Sequence, residues 1–219
     1  MQKADRHLSA YYAARAGEYE RIYQKTERQA DLARLRALIP SYFAERTVLE
    51  IACGTGYWTQ FIAPVARGVT AIDINAETLA IARSKALPEN RVSFEVGDVQ
   101  CLTARYEAFT GSFAGFWWSH MRRLDRRDFL ESLHRALSPG AVVVALDNLY
   151  VEGSSTPISH TDADGNSYQT RELADGTKHT VLKNFPTEAE LVADIQGYTT
   201  AVEYTALEYY WVLKYELAA

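Results

Sequence analysis

With 219 residues, 47% hydrophobic and 23% charged, the chain suits one soluble domain, with or without an insertion, and is long enough to bury a full core. A formal net charge of −5 argues against a broad nucleic-acid surface, which needs a basic face, but leaves room for a local basic patch. No apolar run approaches the roughly 20 residues of a membrane-spanning helix. The start, MQKADRHLSAYY, has no apolar signal-peptide core, and two cysteines (Cys53, Cys101) offer neither a disulfide framework nor metal spacing, so a cytoplasmic protein without metal is expected.

Residues 2–39 read as helix, ended by Pro40. Leu32, Leu35, Leu38 and Ile39 recur at helical spacing as a packing face, and Tyr12, Arg15, Tyr19 and Tyr23 share another face. That second face is either tyrosines on a half-buried helix or a lid reaching a bound anion. Strand one, Val48–Ile51, carries Glu50 and breaks into Ala52-Cys53-Gly54-Thr55-Gly56, followed by a helix to about Ala66. A strand feeding a glycine turn and a helix N-terminus makes a nucleotide-sized pocket, because glycine permits close ligand approach and the first helical N–H groups are free.

Strand two, Val69–Ile74, has Asp73 near its end, and Asn75 caps a helix through Ala86. Strand three is Val92–Val96, followed by Gly97-Asp98; residues 102–111 read as a short helix and loop. Strand four is placed at Phe113–Ser119, a helix at Leu124–Leu137, and strand five at Ala141–Leu146, ending in Asp147-Asn148. Strands alternating with helices indicate a parallel sheet covered on both faces. Residues 149–185, with Asp-Gly pairs at 164–165 and 175–176, read as a β-rich excursion. Thr187 and Glu190 form a capping box for a helix over Glu188–Ile195. Strands at about Ala201–Glu208 and Tyr210–Glu216 lie close enough in sequence to pair as an antiparallel hairpin.

This pattern resembles the class I S-adenosylmethionine (SAM)-dependent methyltransferases: an α/β, Rossmann-like, doubly wound seven-stranded sheet, mostly parallel, with a C-terminal antiparallel hairpin. VLEIACGTGYWT resembles the family's glycine-rich first motif. Asp73 in TAIDIN lies 19 residues after Gly54, GDV at 97–99 resembles the acid after strand three, and LSPGAVVVALDN the fifth-strand segment. Ala52 stands where the family usually has its first glycine, and a positive φ there would strain the turn. The competing dinucleotide fingerprint would align on Gly54, Gly56 and Thr59 and fails at the third position.

The resemblance implies SAM as cofactor and S-adenosylhomocysteine (SAH) as product. Asp73 is then expected on the ribose hydroxyls, and Asp98 on the adenine amino group with the Val99 N–H on a ring nitrogen. Glu50, Ala52 and Gly54 would lie along the methionine part, and Gly56 would allow close helix approach. Cys53, Thr55, Trp58, Ile74, Trp117 and Ser119 complete the implied cofactor set. Tyr12, Arg15 and Tyr19 resemble the family's tyrosine-bearing lid, giving a helical lid at residues 1–40 ahead of a catalytic domain at 41–219. His120, in FWWSHM, is the candidate base, the alternative being a histidine that only bonds backbone. Tyr11, Trp118, Asp147 and Asn148 are the candidate acceptor-side residues.

Trp117 and Trp118, placed on a strand, would face opposite sides of the sheet, making at least one of them core. Aromatic faces at the site would suit an amine or a flat ring. Asp162–Asn166 reads as a turn, its spacing being wrong for calcium. The MRRLDRR segment reads as a solvated helix face, with contact to an anionic substrate or RNA as the alternative. The expected function is methyl transfer to an N or O nucleophile of a small molecule. The alternatives are a methyltransferase acting on RNA or protein, and a SAM-binding protein without catalysis.

Overall fold

The computed structural model describes residues 10–102, 109–173, 175–199 and 201–218. Seven strands form the main sheet: β1 (Thr47–Ile51), β2 (Gly68–Asp73), β3 (Val92–Val96), β4 (Phe109–Gly115), β5 (Leu137–Asn148), β9 (Val202–Ala206) and β10 (Tyr210–Glu216). Their spatial order is β3-β2-β1-β4-β5-β10-β9. The first five run parallel, and β10 pairs antiparallel with both β5 and β9. Chain order reverses between β1 and β4, and the carboxyl edge at such a reversal is where open α/β sheets bind ligands.

Alternation along the strands builds two cores, one on each face. Leu49, Ile51, Val143, Ala145, Trp211 and Leu213 enter one cluster; Val48, Val142, Val144, Leu146, Tyr210 and Val212 enter the other. The helices over these faces are α2 (Gln29–Ser41), α3 (Thr59–Ile62), α4 (Ala76–Arg83), α5 (Arg126–Arg135) and α6 (Glu188–Asp194). Thr187 accepts from the Glu190 N–H, and the Glu190 carboxylate accepts from the Thr187 N–H, closing the expected capping box.

Three expectations are corrected. The N-terminal segment is not one helix: residues 10–15 (α1) are α-helical, Ala16–Gln24 and Thr26–Arg28 are 3₁₀, and α2 begins at Gln29. Gly17 and the extended Lys25 (φ −60°, ψ 122°) interrupt the regular period, while Pro40 lies inside the last turn of α2 instead of ending it. Residues 2–9 and 103–108 of the expected helix and loop fall outside the described residues.

Strand four begins four residues earlier than expected and ends at Gly115. Phe116 turns the chain out of the sheet at φ +60°, so Trp117 and Trp118 follow the strand and Trp118–His120 is a 3₁₀ turn. The helix after the glycine turn is only α3, since residues 54–58 remain in turns.

The excursion folds as a three-stranded antiparallel sheet, β6 (His160–Thr161), β7 (Ser167–Glu172) and β8 (Lys178–Leu182), with Gly165 and Gly176 in left-handed turns. Just beyond β8, the Asn184 N–H donates to the Ser119 carbonyl at 2.8 Å and its amide to the Met121 carbonyl at 2.9 Å. These bonds fix the small sheet over the carboxyl edge of the large one. Asp162 accepts from the Asp164 and Asn166 N–H groups, as a side-chain-closed turn should.

Candidate active site

The glycine turn leaves β1 with Ala52 at φ +50°, Gly54 at +57° and Gly56 at +72°. The two glycines hold these angles freely, whereas Ala52 carries strain. A Cβ on Gly56 would lie 3.0 Å from the Ala82 Cβ, so the glycine lets α4 pack directly against the turn. The Gly54 N–H donates to Asp73 Oδ2 at 2.8 Å; Asp73 Oδ1 accepts from the Asn75 N–H at 2.8 Å and the Thr78 hydroxyl at 3.1 Å. Burial raises the Asp73 carboxyl above its usual range, against these hydrogen bonds. The Ile74 N–H also acts on this carboxylate, so it is held from four sides at the lip of the turn.

Above this turn, at the carboxyl edge of β1 to β4, lies a cleft of about 840 Å³. Of the residues singled out in the sequence, Tyr12, Tyr19, Ala52, Gly54 and Asp73 line it, together with Ile74, Asp98, Val99, Trp117 and His120. Asp98 spends one oxygen on the Gln100 N–H at 3.0 Å. The Trp117 indole N–H is buried without a hydrogen-bond partner. Asn75, Thr78, Gly97, Gln100, Gly115 and Phe116 also line the cleft and were not singled out. Gln100 directly follows GDV, a local cue; Phe116 had none.

A second cleft, of about 1180 Å³, opens between the N-terminal segment and the small sheet. Tyr11, Arg15 and Asn148 line it, with Arg28, Arg171 and Lys183, which sequence reasoning missed. The two clefts share four lining residues: Tyr12, Tyr19, Phe116 and His120.

His120 is fixed within that shared wall. Its Nδ1 lies 2.7 Å from the Leu182 carbonyl, which only accepts, so Nδ1 carries the proton. Nε2 therefore accepts from the Tyr12 hydroxyl at 2.7 Å. Burial, then the Lys183 and Arg171 charges, hold the imidazole well below its usual pKa, so it is neutral at pH 7.

Several singled-out residues do not line the first cleft. Glu50 turns back to accept from the Thr59 hydroxyl at 2.7 Å, and burial pushes its carboxyl up to about 8. Thr55 donates to Glu20, which Lys85 also pairs at 2.7 Å. Cys53 and Trp58 pack in the core cluster beneath, and Gly56 faces α4.

On the acceptor side, Trp118 is core, edge-on to Trp211. Asp147 is fully buried beneath the second cleft, where Lys183 Nζ pairs with it at 2.8 Å and bonds the Ser119 hydroxyl at 2.5 Å. Burial alone would raise Asp147; the Lys183 charge and the hydrogen bonds from Lys183 and the Ser119 N–H outweigh it and hold the carboxyl below its usual range. In MRRLDRR, Arg122 pairs with Asp125, Arg123 with Glu190, and Arg127 with Glu131; Arg126, at 3% exposure, is buried against Asp194. The expected solvated face is thus half right, since Arg126 joins the interior.

Residues 48–140 match a family described as a methyltransferase domain. A malonyl-[acyl-carrier protein] O-methyltransferase of Pectobacterium atrosepticum is 27% identical over 136 residues, covering 62% of this chain and 51% of that protein. A ubiquinone biosynthesis O-methyltransferase of Xanthomonas oryzae pv. oryzae is 30% identical over 156 residues, covering 67% of this chain and 59% of that protein. The chain thus spans about half the length of the first of these curated relatives. The structure of the DhpI–SAH complex superposes with a TM-score of 0.77 at 28% identity, covering 98% of this chain and 97% of that one. DhpI also matches as a complex with SAM and HEP, at the same TM-score. Sequence motif, strand order and these likenesses agree: the chain belongs to the class I S-adenosylmethionine-dependent methyltransferases.

Proposed function

We propose that this chain transfers a methyl group from SAM to an oxygen or nitrogen nucleophile of a small molecule. The observation that carries the reading is the pair of clefts meeting at one wall, Tyr12, Tyr19, Phe116 and His120. A group-transfer site needs donor and acceptor held on either side of a single contact point, with water excluded. The first cleft suits SAM chemically. Asp73 and Asp98 set two carboxylates in its lining, Asp98 with an oxygen free of the Gln100 bond, as acceptors for ribose hydroxyls and an exocyclic amine. When bound, SAM supplies a methyl already activated by its sulfonium.

The chain's own residues position the reactants and enclose them. Tyr12 and Tyr19, from the N-terminal segment, close one side of the first cleft, and the Glu20 bonds to Lys85 and Thr55 hold that segment down. From residue 10 onward the N-terminal segment acts as the lid, and the small sheet covers the acceptor cleft. His120 keeps Tyr12 in the wall. A neutral imidazole with Nε2 already accepting from Tyr12 takes an acceptor's proton only after Tyr12 moves away, or through the Tyr12 hydroxyl as a relay. The malonyl-carrier relative favours one second reading, an acceptor linked to a carrier protein.

Calorimetry with SAM, SAH and NADH tests the cofactor: SAM and SAH should bind and NADH should not. Binding of NADH alone would overturn the proposal. A screen of acids, phenols and amines, free and carrier-linked, read by SAH release, then identifies the acceptor. Absence of turnover with every acceptor class, despite SAM binding, would leave a SAM-binding protein without catalysis.

A further inference from the structure

The second cleft carries more positive charge than the protein neutralises. Arg15, Arg28, Arg171 and Lys183 all line it. Lys183 is matched by Asp147, but no carboxylate among the described residues pairs with the other three. Arg28, at 6% exposure, bonds only neutral groups: the Asn148 side-chain carbonyl at 2.9 Å and Ser154 Oγ at 3.0 Å, with its guanidinium over the Tyr209 and Tyr210 rings. Arg171 donates to Gln169 Oε1 at 2.8 Å and lies against the Tyr11 and Tyr12 hydroxyls. Arg15 donates to the Tyr11 hydroxyl at 3.1 Å.

The two acids in the lining do not answer these charges. Glu18 pairs with Arg21 at 3.5 Å and Glu172 with Lys178 at 3.8 Å. Arg171 and Arg28 both act on Lys183, whose pKa is lowered by burial first and by these two neighbours as well. Guanidinium groups taken out of water without a counter-charge are costly. A fold that gathers three guanidinium groups around one cleft, Arg28 buried and Arg15 and Arg171 half-buried, beside the wall where the methyl would pass, is built to be completed by an anion.

We propose that the second cleft takes an acceptor bearing an oxyanion, a carboxylate or a phosphate-type group, gripped by Arg28, Arg171 and Arg15. The inference rests on the methyltransferase reading for the word acceptor; the anion site itself rests on the cluster. Planar guanidinium forks match such oxygens two at a time. The same cluster repels a protonated amine, which turns the choice between amine and acid acceptors towards acids.

The test is calorimetric titration of the full chain at constant ionic strength with inorganic phosphate, benzoate and neutral benzamide, each with and without SAH. Saturable binding of phosphate or benzoate, but not benzamide, is expected; which anion binds tells a phosphate-type from a carboxylate acceptor. Arg28→Gln and Arg171→Gln should each weaken the anion by roughly tenfold or more, the loss of a charged hydrogen bond. Arg28→Lys should retain part of the affinity. Arg127→Gln, at an exposed arginine paired with Glu131, should change nothing.

Circular dichroism establishes that each variant is folded, and with two independent arginines one misfolded variant leaves the other to decide. Anions binding no better than benzamide would overturn the proposal, as would an Arg127→Gln effect equal to that of Arg28→Gln. Failure of SAH to bind would sink the methyltransferase reading instead, because the titrations without SAH still report on the cluster.

Discussion

Replacing Glu50 by glutamine should stabilise the protein at alkaline pH, and the gain should shrink away as pH falls. Glu50 is 2% exposed on β1, it accepts a hydrogen bond from the Thr59 hydroxyl, and no cation among the described residues pairs with it. Burial, with repulsion from Asp73, pushes its carboxyl up to about 8 from a usual 4.5. At about 1.4 kcal/mol per unit, ionising it in the folded chain costs about 5 kcal/mol more than in the unfolded chain. The sign follows from a folded pKa above the unfolded one. The contribution is fully present below about pH 4.5, is lost as pH rises, and is gone above about pH 8.

Glutamine removes the titration but puts an amide N–H₂ in the same place, which costs about 1–3 kcal/mol if unpaired. The net gain at pH 9 is then about 2–4 kcal/mol, vanishing or reversing at pH 5. Urea denaturation followed by tryptophan fluorescence at both pH values measures it. Equal pH dependence in the two proteins would refute the reasoning.

Ala52→Gly should raise stability by about 0.5–1 kcal/mol: it relieves a left-handed alanine, and part of the gain is offset by the greater freedom of glycine in the unfolded chain. A lower urea midpoint in the variant would contradict this. Lys183→Met should cost about 3–5 kcal/mol, because it leaves Asp147 buried and unpaired; a neutral effect would mean that Asp147 is not ionised. Asp98→Asn should weaken SAM by roughly tenfold in calorimetry while leaving the urea midpoint nearly unchanged, since its turn bond to Gln100 can persist. His120→Ala should lower turnover without changing the shape of the pH–rate profile above about pH 6, because the imidazole is already neutral there. A limb near pH 6.5 that disappears in the variant would assign His120 as a titrating base.

Signals that are local in the chain were legible. The glycine turn, the alternation of strands and helices, the two Asp-Gly turns and the Thr187–Glu190 box each lie within a few residues, and each formed close to where it was read. Asp73 and Asp98 could be placed at one edge because parallel strands bring their carboxyl ends together. The misreadings have an equally local cause. FAGFWW is apolar throughout, so periodicity could not show that the strand stops at Gly115 and that Phe116 turns the chain away.

Tertiary structure alone decided the second cleft. Arg15, Arg28, Arg171 and Lys183 come from α1, the approach to α2, β7 and the residue just after β8, and no spacing in the chain links them. Tyr12 meets His120 across 108 residues. Each of those residues by itself is an ordinary surface or core residue. Their shared charge exists only once the small sheet is fixed over the large one, because Coulomb interactions depend on distance in space and not on separation along the chain.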